Sequence, residues 1–300
     1  MPVALKLDTT VKLPSGYTVP LLGLGVYQND DCVPACLAAL KHGYRHIDSA
    51  RMYRNEDQVG QAVRESGIPR EKVFVTTKIY DPDHGYESTL KVVDESLQRF
   101  GFDYIDLYLI HSPLSGKKRR LETWRALLDA QKAGKIRTVG VSNYGIKHLE
   151  EIREAGLAQP AVNQIEVQPF CQQRPIVEYC REHGIFVQAY CPLVRGRFDE
   201  PVLQEVARKY KKDVAQVLVR WSLQHGCGSP LCLCVATIML NACVRMYCRF
   251  SPLPKSARPE RVVSNADVYD FQISEEDMAK LDALDKGAAG ATSWNPVDAE

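Results

Sequence analysis

Short apolar runs alternate along this chain with longer stretches whose apolar residues recur at helical spacing. Residues 5–20 read as a hairpin, with Val11 and Leu13 leading into a Pro14-Ser15-Gly16-Tyr17 turn. Eight strand-then-helix units are predicted after it. Strands at 21–27, 44–49, 72–79, 104–111, 138–142, 161–167 and 185–190 precede helices at 31–42, 56–66, 87–100, 121–133, 146–155, 175–183 and 201–225, the last broken near Lys212-Asp213. A short strand before Lys255 and a helix from Pro259 make the eighth unit, and a tail helix covers 274–284. The strands are mostly apolar runs, such as Val73-Phe74-Val75, as expected of strands buried on both faces. Gly43, Gly67, Gly101, Gly134, Gly156 and Gly184 each come after a helical stretch, where a C-terminal cap belongs. Strict βα alternation with short connections predicts an α/β protein: a (β/α)8 TIM barrel with an N-terminal β-hairpin and a C-terminal extra helix, one domain over 1–300.

In such a barrel, chemistry belongs at the C-terminal ends of the strands. Asp48, Lys78, His111, Ser142-Asn143, Gln164, Tyr190 and Lys255-Ser256 fall there or close by. Polar residues commonly end strands, which accounts for Ser142-Asn143 but poorly for a lysine and a histidine closing apolar strands. After Asp48 comes the loop of Tyr53, and Asn55 then reads as the N-cap of the next helix. A tyrosine hydroxyl ionises near about 10, too high for a ready proton donor. A nearby ammonium favours the phenolate; Lys78 can supply it, and Asp48 can hold Lys78 charged and pointed. Such a tyrosine can protonate a carbonyl oxygen as hydride reaches the carbon, with His111 donating a hydrogen bond to the same oxygen. No nucleophile is needed, and the hydride must come from a cofactor.

The charge balance narrows the partners. With 38 basic and 37 acidic side chains the net is +1, which predicts no general attraction to nucleic acid or acidic lipid. The first residues lack the apolar core of a signal peptide, and no apolar run reaches a membrane span. A cytoplasmic protein is expected, monomeric, with a small carbonyl compound as substrate. Of ten cysteines, Cys32, Cys36, Cys171, Cys180 and Cys191 are scattered and read as free thiols. They lack His or Cys partners at zinc-finger spacing, so no metal site is expected.

The usual dinucleotide fingerprint is absent: Gly23-Leu24-Gly25 begins like one, but Gln28 stands where the third glycine should be. Another cradle is offered by Pro254-Lys255-Ser256-Ala257-Arg258-Pro259-Glu260-Arg261, which combines cations, a hydroxyl and a helix N-terminus. That set suits a nucleotide carrying an extra phosphate, though it also reads as a solvated helix start. Tyr190 could stack on a nicotinamide ring, with Ser142, Asn143 and Gln164 holding its carboxamide.

The runs Leu22-Gly23-Leu24-Gly25, Gly43 to Ala50, Tyr53-Arg54-Asn55-Glu56, Thr77-Lys78, Leu107 to His111, Gly140 to Tyr144, Asn163-Gln164-Ile165-Glu166 and Pro252 to Ser256 resemble the aldo-keto reductase family, in that family's order. The resemblance implies a (β/α)8 barrel, NADPH, and reduction of aldehydes or ketones to alcohols. It assigns Tyr53 as proton donor, with Asp48, Lys78 and His111 completing a tetrad and Tyr53 and His111 meeting the substrate. It places Ser142, Asn143, Gln164 and Tyr190 at the nicotinamide, Cys191 and Leu193 along the pyrophosphate, and Lys255, Ser256, Arg261 and Asn265 at the adenosine phosphate. The short segments 112–120 and 194–201 resemble microbial and fungal members with trimmed substrate loops, similar to diketogluconate or glyoxal reductases, and imply a wide, shallow substrate site. Cys191 stands where many relatives place a serine, and Ser264 where many have a glutamate near the adenine.

Relatives run from a helix ending like Leu223-Gln224-His225-Gly226 almost directly into a strand like Phe250 to Lys255. Here 227–249 intervenes, 23 residues with five cysteines. A metal-binding insert and a membrane or partner-binding loop are two readings. The leading one is a translated, unspliced intron, because its removal restores the family pattern. There are three alternatives to an active reductase: a non-catalytic NADPH-binding regulatory subunit, a barrel lyase using Lys78 as a Schiff base, and an inactive product of a faulty gene model.

Overall fold

The computed structural model describes residues 5–225 and 250–300. Strands β1 (Thr10–Lys12) and β2 (Thr18–Pro20) form the antiparallel hairpin, with Val11 opposite Val19. Ser15 Oγ lies 2.8 Å from Thr138 Oγ1, near the start of a barrel strand, so the hairpin covers the barrel's N-terminal end. Eight parallel strands come next, in chain order: β3 (Leu24–Gly25), β4 (His46–Asp48), β5 (Phe74–Ile79), β6 (Ile105–Ile110), β7 (Ile136–Ser142), β8 (Val162–Glu166), β9 (Phe186–Tyr190) and β10 (Ser251–Pro252). A parallel bridge from Gly25 to Lys255 brings the last strand back to the first. Every residue of β5 and β6 is buried, as a strand between a packed barrel interior and a helical layer must be.

The expected strand over 21–27 contracts to Leu24–Gly25, and the final strand is equally short. Prolines explain both. Gly23 and Gly25 donate to the carbonyls of Pro252 and Pro254 at 3.2 and 3.1 Å, but those prolines have no N–H to extend the ladder.

The helices obey the predicted spacing. Six of them, α1 (Val33–His42), α2 (Glu56–Glu65), α3 (Tyr86–Phe100), α4 (Lys117–Lys132), α5 (Ile146–Glu154) and α6 (Arg174–Glu182), each lead into one of the expected cap glycines. All six glycines adopt positive φ, between 66° and 115°. The helical region from Pro201 divides at Lys211, which is left-handed (φ 53°), into α7 (Pro201–Tyr210) and α8 (Val214–Gln224). A further helix, Pro259–Ala266, precedes the tail helix Glu275–Asp282. Asn55 does stand at the N-cap of α2, its carbonyl accepting from the Val59 N–H at 3.1 Å, but its side chain makes no cap bond. It turns inward, donating to the carbonyls of Val26 (3.0 Å) and Asn29 (3.3 Å) and accepting from Ser49 Oγ (2.7 Å). A buried amide gains more from three tertiary partners than from one orphan N–H at a helix start.

The readings given to 227–249 lie outside the described residues. The nearest described residues are His225 and Phe250: their rings stack at 5.0 Å with a 16° interplanar angle, and His225 Nε2 lies 3.3 Å from Asp282. The two ends are therefore held side by side. Deleting 227–249, which joins Gly226 to Phe250, is expected to leave stability equal to the full chain or up to about 2 kcal/mol higher, from the shorter loop to close. Urea denaturation checks this; loss of a cooperative transition would show that the segment is part of the folding unit.

Candidate active site

The C-terminal ends of the strands bring the predicted residues together. Asp48 ends β4, Lys78 lies near the end of β5, His111 comes just after β6, Ser142 ends β7, Gln164 is on β8 and Tyr190 ends β9. Tyr53 closes a single 3-10 turn, Arg51–Tyr53, just after β4. All of these except Lys78 line one cavity of about 960 Å³, and so do Asn143, Cys191, Leu193, Lys255, Ser256, Arg261 and Asn265. Lys78 stands behind the wall, fully buried.

Its ammonium is held on three sides. Lys78 Nζ donates to Asp48 Oδ1 at 2.6 Å and to the Ser49 carbonyl at 2.8 Å, and makes a longer contact of 3.4 Å to Tyr53 Oη. Gln164 Nε2 donates to the other Asp48 oxygen at 2.8 Å. Burial pulls the Lys78 pKa below its ordinary value, and the Asp48 carboxylate works against that pull. Removing either member of such a buried pair would leave the other charge uncompensated, typically a cost of about 3–5 kcal/mol. With all three N–H directions engaged, the amine has no free approach for a Schiff base, which disfavours the lyase reading.

Glu56 supports this cluster from behind. Fully buried, it accepts from Thr77 Oγ1 and Arg99 Nε, both at 2.6 Å, and its field also favours the charged Lys78.

The electrostatics correct one expectation. From residue types alone, Lys78 should draw the Tyr53 phenol down toward neutrality. Instead burial, and after it the nearby Asp48 carboxylate, holds the phenol well above its usual range. The hydroxyl therefore keeps its proton at all ordinary pH values. His111 moves the other way: burial, then Lys78 and His84, keep it neutral well below its normal pKa. Its Nδ1 is buried without a partner, so Nε2 is the ring nitrogen left to meet a ligand. The His111 ring stands edge-on to Tyr53 at 5.7 Å and to Trp294 at 6.4 Å.

Along the groove, Tyr190 Oη donates to Asn143 Oδ1 at 2.7 Å, and Asn143 Nδ2 donates to the His111 carbonyl at 2.9 Å. Asn143 is left-handed (φ 62°), a conformation that Asn tolerates. So are Cys191, Val194 and Arg195, at φ between 45° and 53°, in the loop after β9. Burial, with Glu166 next, pushes the Cys191 thiol up to about 12, so it is no ready nucleophile. Cys32, Cys36, Cys171 and Cys180 are free and buried. Among the described residues no cluster of three His, Cys, Asp or Glu is placed to hold a metal, and no helix is long and apolar enough to cross a membrane.

Several cavity residues escape a reading of the sequence. Arg208 and Lys211, at the corner between α7 and α8, line the same cavity as Lys255 and Arg261. In the sequence they belong to the run Arg208 to Lys212, which reads as cations at a helix C-terminus. Tyr27, Met52, Phe198 and Trp294 form apolar walls, and Tyr27 packs against Tyr53 at 4.9 Å. Trp294 comes from the tail, which carries no pattern pointing to a site.

The aldo/keto reductase family model matches residues 21–286. A glyoxal reductase of Bacillus subtilis (strain 168) is 43% identical over 290 residues, 95% of each chain. The crystal structure of an aldo/keto reductase from Brucella melitensis superposes with a TM-score of 0.82 at 40% identity, over 94% of this chain and 99% of that one. A Bombyx mori aldo-keto reductase solved in complex with NADP superposes with a TM-score of 0.79 at 33% identity, over 94% of both. On its strand order, its matched span and these likenesses, the chain belongs to the aldo/keto reductase family of oxidoreductases.

Proposed function

We propose that this protein is an NADPH-dependent carbonyl reductase in which Tyr53 is the proton donor. The observation that carries the proposal is the contact chain from buried Asp48 and Lys78 to partly buried Tyr53, in a cavity that also holds the cations Lys255 and Arg261.

The residues present fit the dinucleotide. A groove of about 960 Å³ joins Tyr53 and His111 to Lys255 and Arg261. Gln164 spends its amide N–H groups on Asp48 and Gln188, which leaves Oε1 to accept from a carboxamide. Tyr190 offers a ring fixed by its hydroxyl. Lys255 and Arg261 would hold the additional phosphate, with Ser256, Asn265 and the Cys191–Leu193 backbone alongside. The B. mori relative holds NADP, which supports this assignment. When bound, the reduced nicotinamide supplies the hydride. Burial makes the Tyr53 phenol a weak acid, but the alkoxide developing on the carbonyl oxygen is a stronger base still, so Tyr53 Oη gives its proton there and Lys78 stabilises the phenolate left behind. Asp48 keeps Lys78 charged despite its burial. Neutral His111, protonated on Nε2, donates a hydrogen bond to the same oxygen. The B. subtilis relative is named for glyoxal, so small dicarbonyls and aldehydes head the substrate panel.

NADPH oxidation monitored with glyoxal, methylglyoxal and an aromatic aldehyde tests the reading. Saturable NADPH binding without turnover on any of them would instead support the regulatory-subunit alternative. Fluorescence titration tests the cofactor assignment separately. Removing Lys255 and Arg261 together, as alanines, is expected to weaken NADPH about 30-fold, the scale of charge-assisted hydrogen bonds, while NADH changes little. Arg208→Ala is expected to cost about threefold and to make binding less sensitive to salt, because an exposed cation acts at longer range. Equal losses for NADPH and NADH would refute a phosphate role for these cations.

A further inference from the structure

Glu166 ends β8 fully buried, and no ion pair to it is found among the described residues. Its partners come mainly from the C-terminal tail. Oε1 accepts from the Thr292 N–H (2.6 Å), Thr292 Oγ1 (2.8 Å) and Gln168 Nε2 (3.2 Å), and Oε2 accepts from the Ser293 N–H at 3.0 Å. A buried carboxylate held only by dipolar donors is costly unless every donor stays in place. The tail therefore cannot leave without uncovering that charge.

The tail is seated along its length. Gly290 lies so close to Phe170 that a Cβ there would sit 1.7 Å from its carbonyl oxygen, and one at Gly145 would sit 2.1 Å from the Val297 carbonyl oxygen. Beyond the site, His148 Nε2 bonds the Ala299 carbonyl at 2.7 Å and Arg120 reaches that of Glu300 at 2.9 Å.

Trp294 is the next residue after this pinned pair. It stands edge-on to His111, and its carbonyl takes the longer, 3.2 Å branch of the Tyr190 hydroxyl that bonds chiefly to Asn143. We propose that Glu166 is a positioning residue for the substrate: it pins the tail at Thr292 and Ser293 so that Trp294 forms a fixed wall over the carbonyl site beside His111. Glu166 does not line the cavity itself; it acts through the strap.

The inference rests on the reductase reading for its kinetic arm only. Glu166→Gln keeps the side chain's size but can turn an NH2 toward the tail's N–H donors. The expected result is a KM for the carbonyl substrate raised about tenfold, the worth of one charge-assisted hydrogen bond, with kcat and NADPH affinity within about twofold. The second arm needs no turnover. Trp124 and Trp221 are buried and Trp294 is 41% exposed, so acrylamide quenching of tryptophan fluorescence reports the strap, with Trp294→Phe identifying the signal. Glu166→Gln should increase that quenching. Should this variant fail to fold, Thr292→Val removes one donor and is expected to raise KM about threefold in the same way. Unchanged KM and unchanged quenching overturn the proposal, as does a fall in kcat with KM intact. Increased quenching in a chain that reduces no carbonyl would uphold the strap and overturn the reductase reading.

Discussion

Tyr53→Phe is expected to lower kcat about a thousandfold, within the range for loss of a general acid, while the NADPH dissociation constant stays within about twofold. The substitution removes one oxygen and leaves the ring between Tyr27 and His111. Lys78 loses only its longest contact and keeps Asp48 and the Ser49 carbonyl, so the buried charge remains matched and the fold should persist. The cationic end of the groove is untouched. Because burial raises the Tyr53 pKa, the wild-type rate should also show no loss from phenol ionisation between about pH 6 and 9. Steady-state kinetics beside a fluorescence titration decide the matter. Turnover near the wild-type rate would remove Tyr53 from the role proposed for it.

Acidification should destabilise the protein before its carboxylates titrate. His46, His84 and His111 are buried and held neutral, with burial the first cause in each case. The pKa of His46 falls to about 3 and that of His84 to about 4. The unfolded chain binds these protons near about pH 6.5, whereas the folded chain refuses them, so stability is complete above that pH and falls below it. From pH 7.5 to 5.5 each of His46 and His84 should remove on the order of 1 kcal/mol, about 2–3 kcal/mol together, with His111 adding in the same direction. The loss levels off only below the folded pKa values. Asp81 and Asp106 have raised pKa values, also from burial, and oppose the trend, so the histidine share is read from a histidine variant. Urea denaturation at pH 7.5, 6.5 and 5.5 measures the slope, and His84→Gln should flatten it by about one proton. A slope that His84→Gln leaves unchanged would mean that the folded chain admits that proton.

The features legible in the sequence are those that local physics dictates. Apolar runs mark strands such as β5 and β6 because both their faces are buried, and cap glycines mark helix ends because the left-handed turn needs them. The site residues can be read because a barrel's topology alone collects strand ends. The features that escape depend on distant partners. Asn55 reads as a helix cap, but its amide answers to Val26 and Asn29. The Tyr53 shift takes the wrong sign because charges can be read from residue types whereas depth of burial cannot. Arg208 and Lys211 look like ordinary helix-end cations until α7 and α8 fold them against the groove. Glu166 and Trp294 lie far apart in sequence, and neither signals the other.

The short join between β3 and β10 has a mechanical meaning. The barrel is a hoop of parallel strands, and Gly25 to Lys255 is its fastening, held by two glycine amides on proline carbonyls. A hoop opens where it is least stitched, so the amides of Gly23 and Gly25 should exchange with solvent sooner than those of β5 or β6. The groove crosses that place, with Gly25 and Gln28 on one lip and Leu253, Lys255 and Ser256 on the other. A dinucleotide lying there would touch both lips, and so act as a buckle on a ring that is already closed.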